Sequence, residues 1–204
     1  MESPDPLPAL SADDALSLWV GRVARTHALL EYGVDNVHRF LMRRAGHQVD
    51  GKSVKGFDQL VTECSNLLRR SDVDQEILTA GDSALRAAKE ATDMRNRIVH
   101  DMWLPDPLPN DSEPPRWNTF RRSGDLHDSY NSATSQDLEM VIHANTFLLR
   151  TRIRVSGLFM ALHESRPGSC SREEGSPDED NMARYVALMT NRFILHPNGD
   201  LDVT

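Results

Sequence analysis

From Leu16 to Leu41 the chain repeats apolar residues at helical spacing, and no proline interrupts them. Leu16, Trp19, Val20, Val23, Leu30, Val34, Val37 and Leu41 fall on one stripe of a helix. A helix with an apolar stripe this long must bury it against other helices or a sheet. Its ends are written locally. Ser11-Ala-Asp-Asp14 has the polar-then-acidic form of a helix start, with Asp14 replacing the usual Glu of a capping box. Ala45-Gly46 ends the helix after Arg44, and Gly33 in its middle would kink it or permit a close crossing.

Three further helices follow from the same periodicity. The second is expected to be capped by Ser53, to bury Phe57, Leu60, Val61, Cys64, Leu67 and Leu68, and to close on Arg69-Arg70 at a negative helix end. The third is expected to start at Ser71-Asp72, with Ile77, Leu78, Leu85, Ala88, Ala91, Ile98 and Met102 inward. Its alanines and Gly81 would let a neighbour approach closely. The fourth opens at Ser135-Gln136-Asp137 and runs through Leu138, Val141, Ile142, Leu148, Leu149, Ile153, Leu158, Phe159 and Leu162 to His163. The expected fold is all-α, a bundle of four main helices with a long loop insertion over 104–134. Residues 1–10 read as a flexible lead-in and 11–164 as the helical domain. Residues 165–181 read as a linker of Ser, Gly, Pro and acids. Residues 182–204 hold a small last element, either a docking helix or a hairpin.

Composition narrows the function classes. With 204 residues the chain is long enough for one domain with a real core. No apolar run approaches the roughly 18–20 residues of a membrane span, and the N-terminus lacks the layout of a secretion signal. A cytoplasmic protein without membrane partners is expected. Cys64 falls in an apolar stripe and Cys170 in a polar tail, which suits a reducing compartment better than a disulfide framework. The net charge of -8 argues against a surface coated for bulk nucleic-acid binding, and leaves room for a local basic cleft.

One stretch combines residues that handle phosphates: Met94-Arg95-Asn96-Arg97-Ile98-Val99-His100-Asp101. Arg95 and Arg97 offer permanently charged guanidinium groups. His100 can carry or accept a proton near neutral pH, and Asn96 can donate and accept hydrogen bonds at once. On a helix, Asn96 and Arg97 share a face with His100, whereas Arg95 sits roughly 140° round from it. Arg95 and His100 would converge through Arg95's long side chain, through a loosening helix end, or through a second copy of the chain. Arg97 is ambiguous, because Asp93 lies four residues before it and a surface ion pair serves as well as catalysis.

Arg95-Asn96-x-x-x-His100 resembles the Arg-x(4–6)-His motif of the HEPN superfamily, in which Asn after the Arg is the common variant. The resemblance is sharp over Met94 to Trp103 and architectural over residues 11–164. Those proteins are small helical bundles, often dimeric. Many are metal-independent endoribonucleases of toxin–antitoxin, anti-phage or RNA-processing systems. The resemblance implies that two copies of the Arg–His pair meet across a homodimer interface in one composite site acting on RNA, with an antitoxin or regulatory protein as a further partner. It implies that His100 is the general acid/base, that Arg95 holds the scissile phosphate, and that Asn96 orients His100 or contacts RNA. Attack by the 2′-hydroxyl needs a proton acceptor, a stabilised phosphate and a protonated leaving group, and these residue types supply all three without metal or cofactor.

Beyond the motif, Arg116, Arg121 and Arg122 beside Trp117 and Phe120 form the basic–aromatic mixture that grips single-stranded nucleic acid. Trp117–Arg122 reads as a short strand or an ordered loop, and the plain reading of the same stretch is a surface flap whose aromatics cover the bundle. His27, in register with the apolar stripe, reads as a hydrogen-bonded core or interface histidine, with a role beside the His100 site as the lesser reading. Arg150, Arg152 and Arg154 read as a solvated face or an RNA-facing rim. No His or Cys pair has metal-site spacing, and no Gly-rich phosphate loop is present. The rival functional classes are a non-catalytic dimeric helical interaction module and nucleotide binding without cleavage.

Overall fold

Ser11 starts the first helix as the sequence predicts. In the computed structural model its Oγ accepts the Asp14 backbone N–H at 3.1 Å and donates to Asp14 Oδ2 at 2.7 Å. This opens α1, Ala12–Arg44. At the other end Gly46 adopts φ 80, and the His47 and Gly46 N–H groups return to the Met42 and Arg43 carbonyls. That is a Schellman stop, and the positive φ explains why glycine stands there. The structure describes residues 10–49, 55–106, 114–120, 133–165, 185–187, 190, 192–195 and 201–203.

The described residues are mainly helical, as expected. After α1 come α2, Phe57–Arg70, α3, Gln75–His100, and α4, Leu138–Glu164. Two helix starts differ from the sequence reading. Ser71 does not open α3; it ends α2, its Oγ donating to the Leu67 carbonyl at 2.7 Å and its N–H to Leu68 at 3.1 Å. Ser135 and Gln136 do not open α4 either, because they lie in a strand. Asp137 caps the helix alone, its Oδ1 accepting the Met140 N–H at 2.9 Å. The expected Ser53 cap of α2 lies outside the described residues, and the observed N-cap position is Gly56.

The stretch read as a loop insertion carries strands where it is described. These are β1, Met102–Pro105, β2, Arg116–Phe120, and β3, Ala133–Asp137. They form an antiparallel sheet in the order β1-β2-β3, with Trp103 opposite Thr119 and Trp117 opposite Gln136. Pro105 lies on the edge strand, where its missing N–H costs least. Met102, expected on the inward face of α3, instead leaves the helix and is exposed in β1. β2 alternates as a half-buried strand should, with Trp117 and Thr119 buried and Asn118 and Phe120 less so. For residues 182–204 both candidate forms occur: a helical turn at 185–187 and an antiparallel pair, β4, Phe193–Leu195, with β5, Leu201–Val203.

The chain divides into two compact units. One comprises Met1–Arg25 with Met94–Asn145, the other Thr26–Asp93 with Thr146–Thr204. In the second, segments of all four helices bury Leu30, Val34, Val37, Leu41, Leu68, Leu85, Leu148, Leu158 and Leu162. Gly81 marks a close approach: a Cβ built there would stand 2.6 Å from Leu68 Cδ2 and 2.9 Å from Leu158 Cδ1. Cys64 is buried with its Sγ near the Val34 carbonyl, and burial pushes the thiol up to about 12. It is a packed apolar group and not a reactive one. Arg44 gathers helix ends, donating to the Asp72 carbonyl at 2.6 Å and the Leu162 and Ser165 carbonyls at 3.4 and 3.2 Å.

His27 is the core histidine the stripe suggested. It is buried, and its Nε2 lies 2.9 Å from Thr92 Oγ1. Thr92 donates its own hydroxyl to the Ala88 carbonyl, so the imidazole Nε2–H is the donor in this pair. A second polar cluster joins α1 to α2. Glu63 accepts from Lys55, and its Oε2 lies 3.0 Å from His38 Nε2. The Lys55 ammonium, more than His38, holds the Glu63 carboxyl below its ordinary value, against the opposing effect of burial. A lowered folded-state value contributes stability above the ordinary glutamate range and loses it as pH falls through the folded value. Glu63→Gln is therefore expected to cost about 1 kcal/mol at neutral pH and nothing in acid. Urea melts of both chains from pH 7 down to 3 check this. A gap between them that stays constant with pH would rule it out.

Candidate functional site: the end of the third helix

The last turn of α3 brings Arg95, Asn96 and His100 together within one chain. Arg95 Nη1 lies 2.7 Å from His100 Nε2 and donates to Asn96 Oδ1 at 3.0 Å. Of the three routes by which Arg95 and His100 could converge, the structure takes the first: the long arginine side chain spans the angular gap, and the helix keeps its form to His100. Asn96 engages Arg95, not His100.

The hydrogen bonding assigns roles. Guanidinium nitrogens only donate, so His100 Nε2 accepts, and a neutral ring in this arrangement carries its proton on Nδ1. Nη1 has two hydrogens, one for each partner. Nε is buried without a partner among the described residues. Nη2 has none there either. His100 is exposed, while Arg95 and Asn96 are half-buried. The arrangement sets an imidazole nitrogen that accepts beside a permanent cation at the surface, with a spare pair of N–H donors on Nη2.

The other expected contact residues fare differently. Arg97 is exposed on α3, and Arg116 is exposed at the start of β2. Trp117 is only 3% exposed, so it is not an open stacking platform; its Nε1–H donates to Asp13 Oδ1 at 3.1 Å. Arg121 and Arg122 lie outside the described residues. The arginines of α4 do not form one face, since alternate positions on a helix point roughly 200° apart. Arg154 is held against α3 by Ser83 Oγ at 2.7 Å, and burial lowers its guanidinium value while Glu90 opposes. Glu139 and His143 come within 3.9 Å on an exposed face. Among the described residues no group of three or more His, Cys, Asp or Glu could hold a metal ion. Nor is any helix there long and apolar enough to cross a membrane.

A cavity of about 450 Å³ lies in the same unit, between the first turns of α1 and the sheet. Leu16, Val20 and Pro105 line it with the indoles of Trp103 and Trp117, and Asp13 and Ser17 supply its polar groups. Sequence reading missed it. Asp13 read as a helix-start acid, and Trp103 as the end of the stretch that resembles the HEPN motif. Only the tryptophans flanking a Pro-rich stretch hinted at a shared apolar wall. Trp103 is fixed by its Nε1–H donating to the Ile98 carbonyl at 2.9 Å, two residues before His100.

No protein-family model matches this chain, and no curated protein or solved structure matches it either.

Proposed function

We propose that this chain is a metal-independent endoribonuclease of HEPN type that cleaves single-stranded RNA by 2′-hydroxyl attack, in a toxin-like or defence setting in the cytoplasm. The Arg95–His100 contact at 2.7 Å carries the reading. An arginine fork matches phosphate oxygens and keeps its charge. An imidazole suits proton transfer at operating pH. Without RNA the two occupy each other. An incoming phosphate first meets Nη2, then draws the guanidinium from His100 and frees Nε2 to take the 2′-hydroxyl proton. Asn96 holds Nη1 during that exchange. The opposite proton transfer, to the 5′-oxygen leaving group, falls to the second Arg95–His100 pair of a homodimer. Each protomer then brings a complete pair to the composite site.

A non-catalytic helical interaction module is the second reading. It draws on Leu29 and Tyr32, three residues apart on α1 and 40% and 67% exposed, an apolar strip that another helix could cover. One experiment separates the readings: purified protein and single-stranded RNA in excess EDTA, beside His100→Ala. Fragments ending in 2′,3′-cyclic phosphate, from the unmutated chain only, are expected. RNA left intact by both would pass the preference to the interaction module.

A further inference from the structure

We infer that the cavity bounded by Trp103, Trp117 and Asp13 is a guanine-selective base subsite of the Arg95–His100 site. The inference rests on the endoribonuclease reading for its substrate, and on the cavity's own chemistry for its selectivity.

The cavity has the composition of a site for a flat, partly polar ligand. Two indoles and the aliphatic side chains of Leu16 and Val20 make the walls, and its volume of about 450 Å³ admits a nucleoside. Trp117 is closed to stacking, so the half-buried Trp103 is the indole on which a base would lie, and bases stack on aromatic side chains whatever their identity. Selection must therefore come from the polar groups, and these are a carboxylate and a hydroxyl. Asp13 Oδ1 already accepts from Trp117 Nε1, and Oδ2 has no partner among the described residues. An ionised carboxylate offers acceptors only, about four lone-pair sites over two oxygens. Guanine alone presents two adjacent donors, N1–H and the N2 amino group, on its pairing edge. Adenine and cytosine each turn an unprotonated ring nitrogen toward the carboxylate, and uracil flanks its single N–H with two carbonyl oxygens. A carboxylate thus accepts guanine in a bidentate fashion and repels the others.

Position supports the same occupant. Trp103 is tied by its indole N–H to the Ile98 carbonyl, in the helical turn that ends at His100. Arg95 and His100 do not themselves line the cavity, so a base on Trp103 would reach them through the adjoining sugar and phosphate.

The test is calorimetric titration of four nucleoside 5′-monophosphates, those of guanosine, inosine, adenosine and cytidine, into the His100→Ala chain, which is blocked in cleavage on the proposed reading. Guanosine monophosphate should bind best. Inosine monophosphate, which lacks the N2 amino group, should bind roughly tenfold more weakly, consistent with loss of one half of a bidentate contact. Asp13→Asn keeps an oxygen for the Trp117 indole and so preserves the packing, but it turns one acceptor into a donor. It should lower guanosine monophosphate affinity by roughly 10- to 100-fold and erase the preference. Equal binding of the four, binding of none, a preference that survives Asp13→Asn, or binding of tetramethylammonium in place of guanosine monophosphate would each overturn the inference. The EDTA cleavage assay separates the two levels. Cleavage by the unmutated chain with no guanosine preference removes the subsite and keeps the nuclease. A guanosine preference without cleavage does the reverse.

Discussion

For the proposed endoribonuclease, Arg95→Ala is expected to lower the rate of RNA cleavage by about 10²–10³-fold, the size of effect seen when one charge-stabilising donor is removed from a reacting group. His100→Ala should cost about 10²–10⁴-fold through loss of proton transfer. The double variant should be little worse than the poorer single one, because residues acting as a unit are far from additive. Arg95→Lys is the sharper probe. Lysine keeps the charge, but its compact ammonium lacks the planar fork that serves Asn96, His100 and a phosphate at once. It should recover less than a tenth of the activity. The 2.7 Å contact lies within one chain, which also sets the outcome of mixing. Arg95→Ala and His100→Ala chains combined should stay inactive, since neither holds a complete pair. Single-turnover rates on a short RNA decide both points. An Arg95→Ala chain as fast as the unmutated one would remove Arg95 from the chemistry. Restored activity in the mixture would show that the pair is assembled between chains.

The second large effect belongs to the core. Leu158→Ala is expected to destabilise the fold by about 2–5 kcal/mol, through lost burial and the cavity left behind. Gly81→Ala alone should cost about 1–2 kcal/mol. The alanine gains helix propensity but forces the fully buried Leu68 and Leu158 side chains aside, because its Cβ would lie 2.6 and 2.9 Å from their methyl groups. Combined, the two substitutions should cost clearly less than their sum, as the new methyl occupies space that Leu158 has vacated. Chemical denaturation of the four chains measures the coupling. Strict additivity would show that Gly81 and Leu158 do not share one packing site.

How much of this was legible in the residues can be read element by element. Both ends of α1 were, because Ser11, Asp14 and Gly46 act through backbone groups within five residues of themselves. The start of α3 was not, and that of α4 only in Asp137, because a serine is found at the start of a helix, at its end or in a strand. Ser71 closes α2 and Ser135 pairs with Asn118 in the sheet. Of the sheet only β2 was legible, as the strand form weighed for Trp117–Arg122; β1 was missed because Met102 continued the helical period, and four residues are too few for alternation to outweigh it. The motif residues were identifiable by type and spacing. Three routes to their convergence were legible, but not which one the chain takes, since angular position along a helix says nothing of how far an arginine side chain reaches. The cavity was invisible for a topological reason: Asp13 and Trp117 meet across 104 residues of chain.

The meeting of β3 and α4 has a further consequence. Asp137 is the last residue of the strand and the cap of the helix, with no connecting residue between them. A strand alternates every two residues and a helix returns every 3.6, and here a single position synchronises both rhythms. One residue inserted after Asp137 would advance the helix by about 100° against the strand. Val141 and Ala144, both buried, would swing off their inward bearing. The phase of the first turns of α4 is thus set by the hydrogen-bond ladder that precedes it, so this junction should be among the places in the chain least forgiving of a change in length.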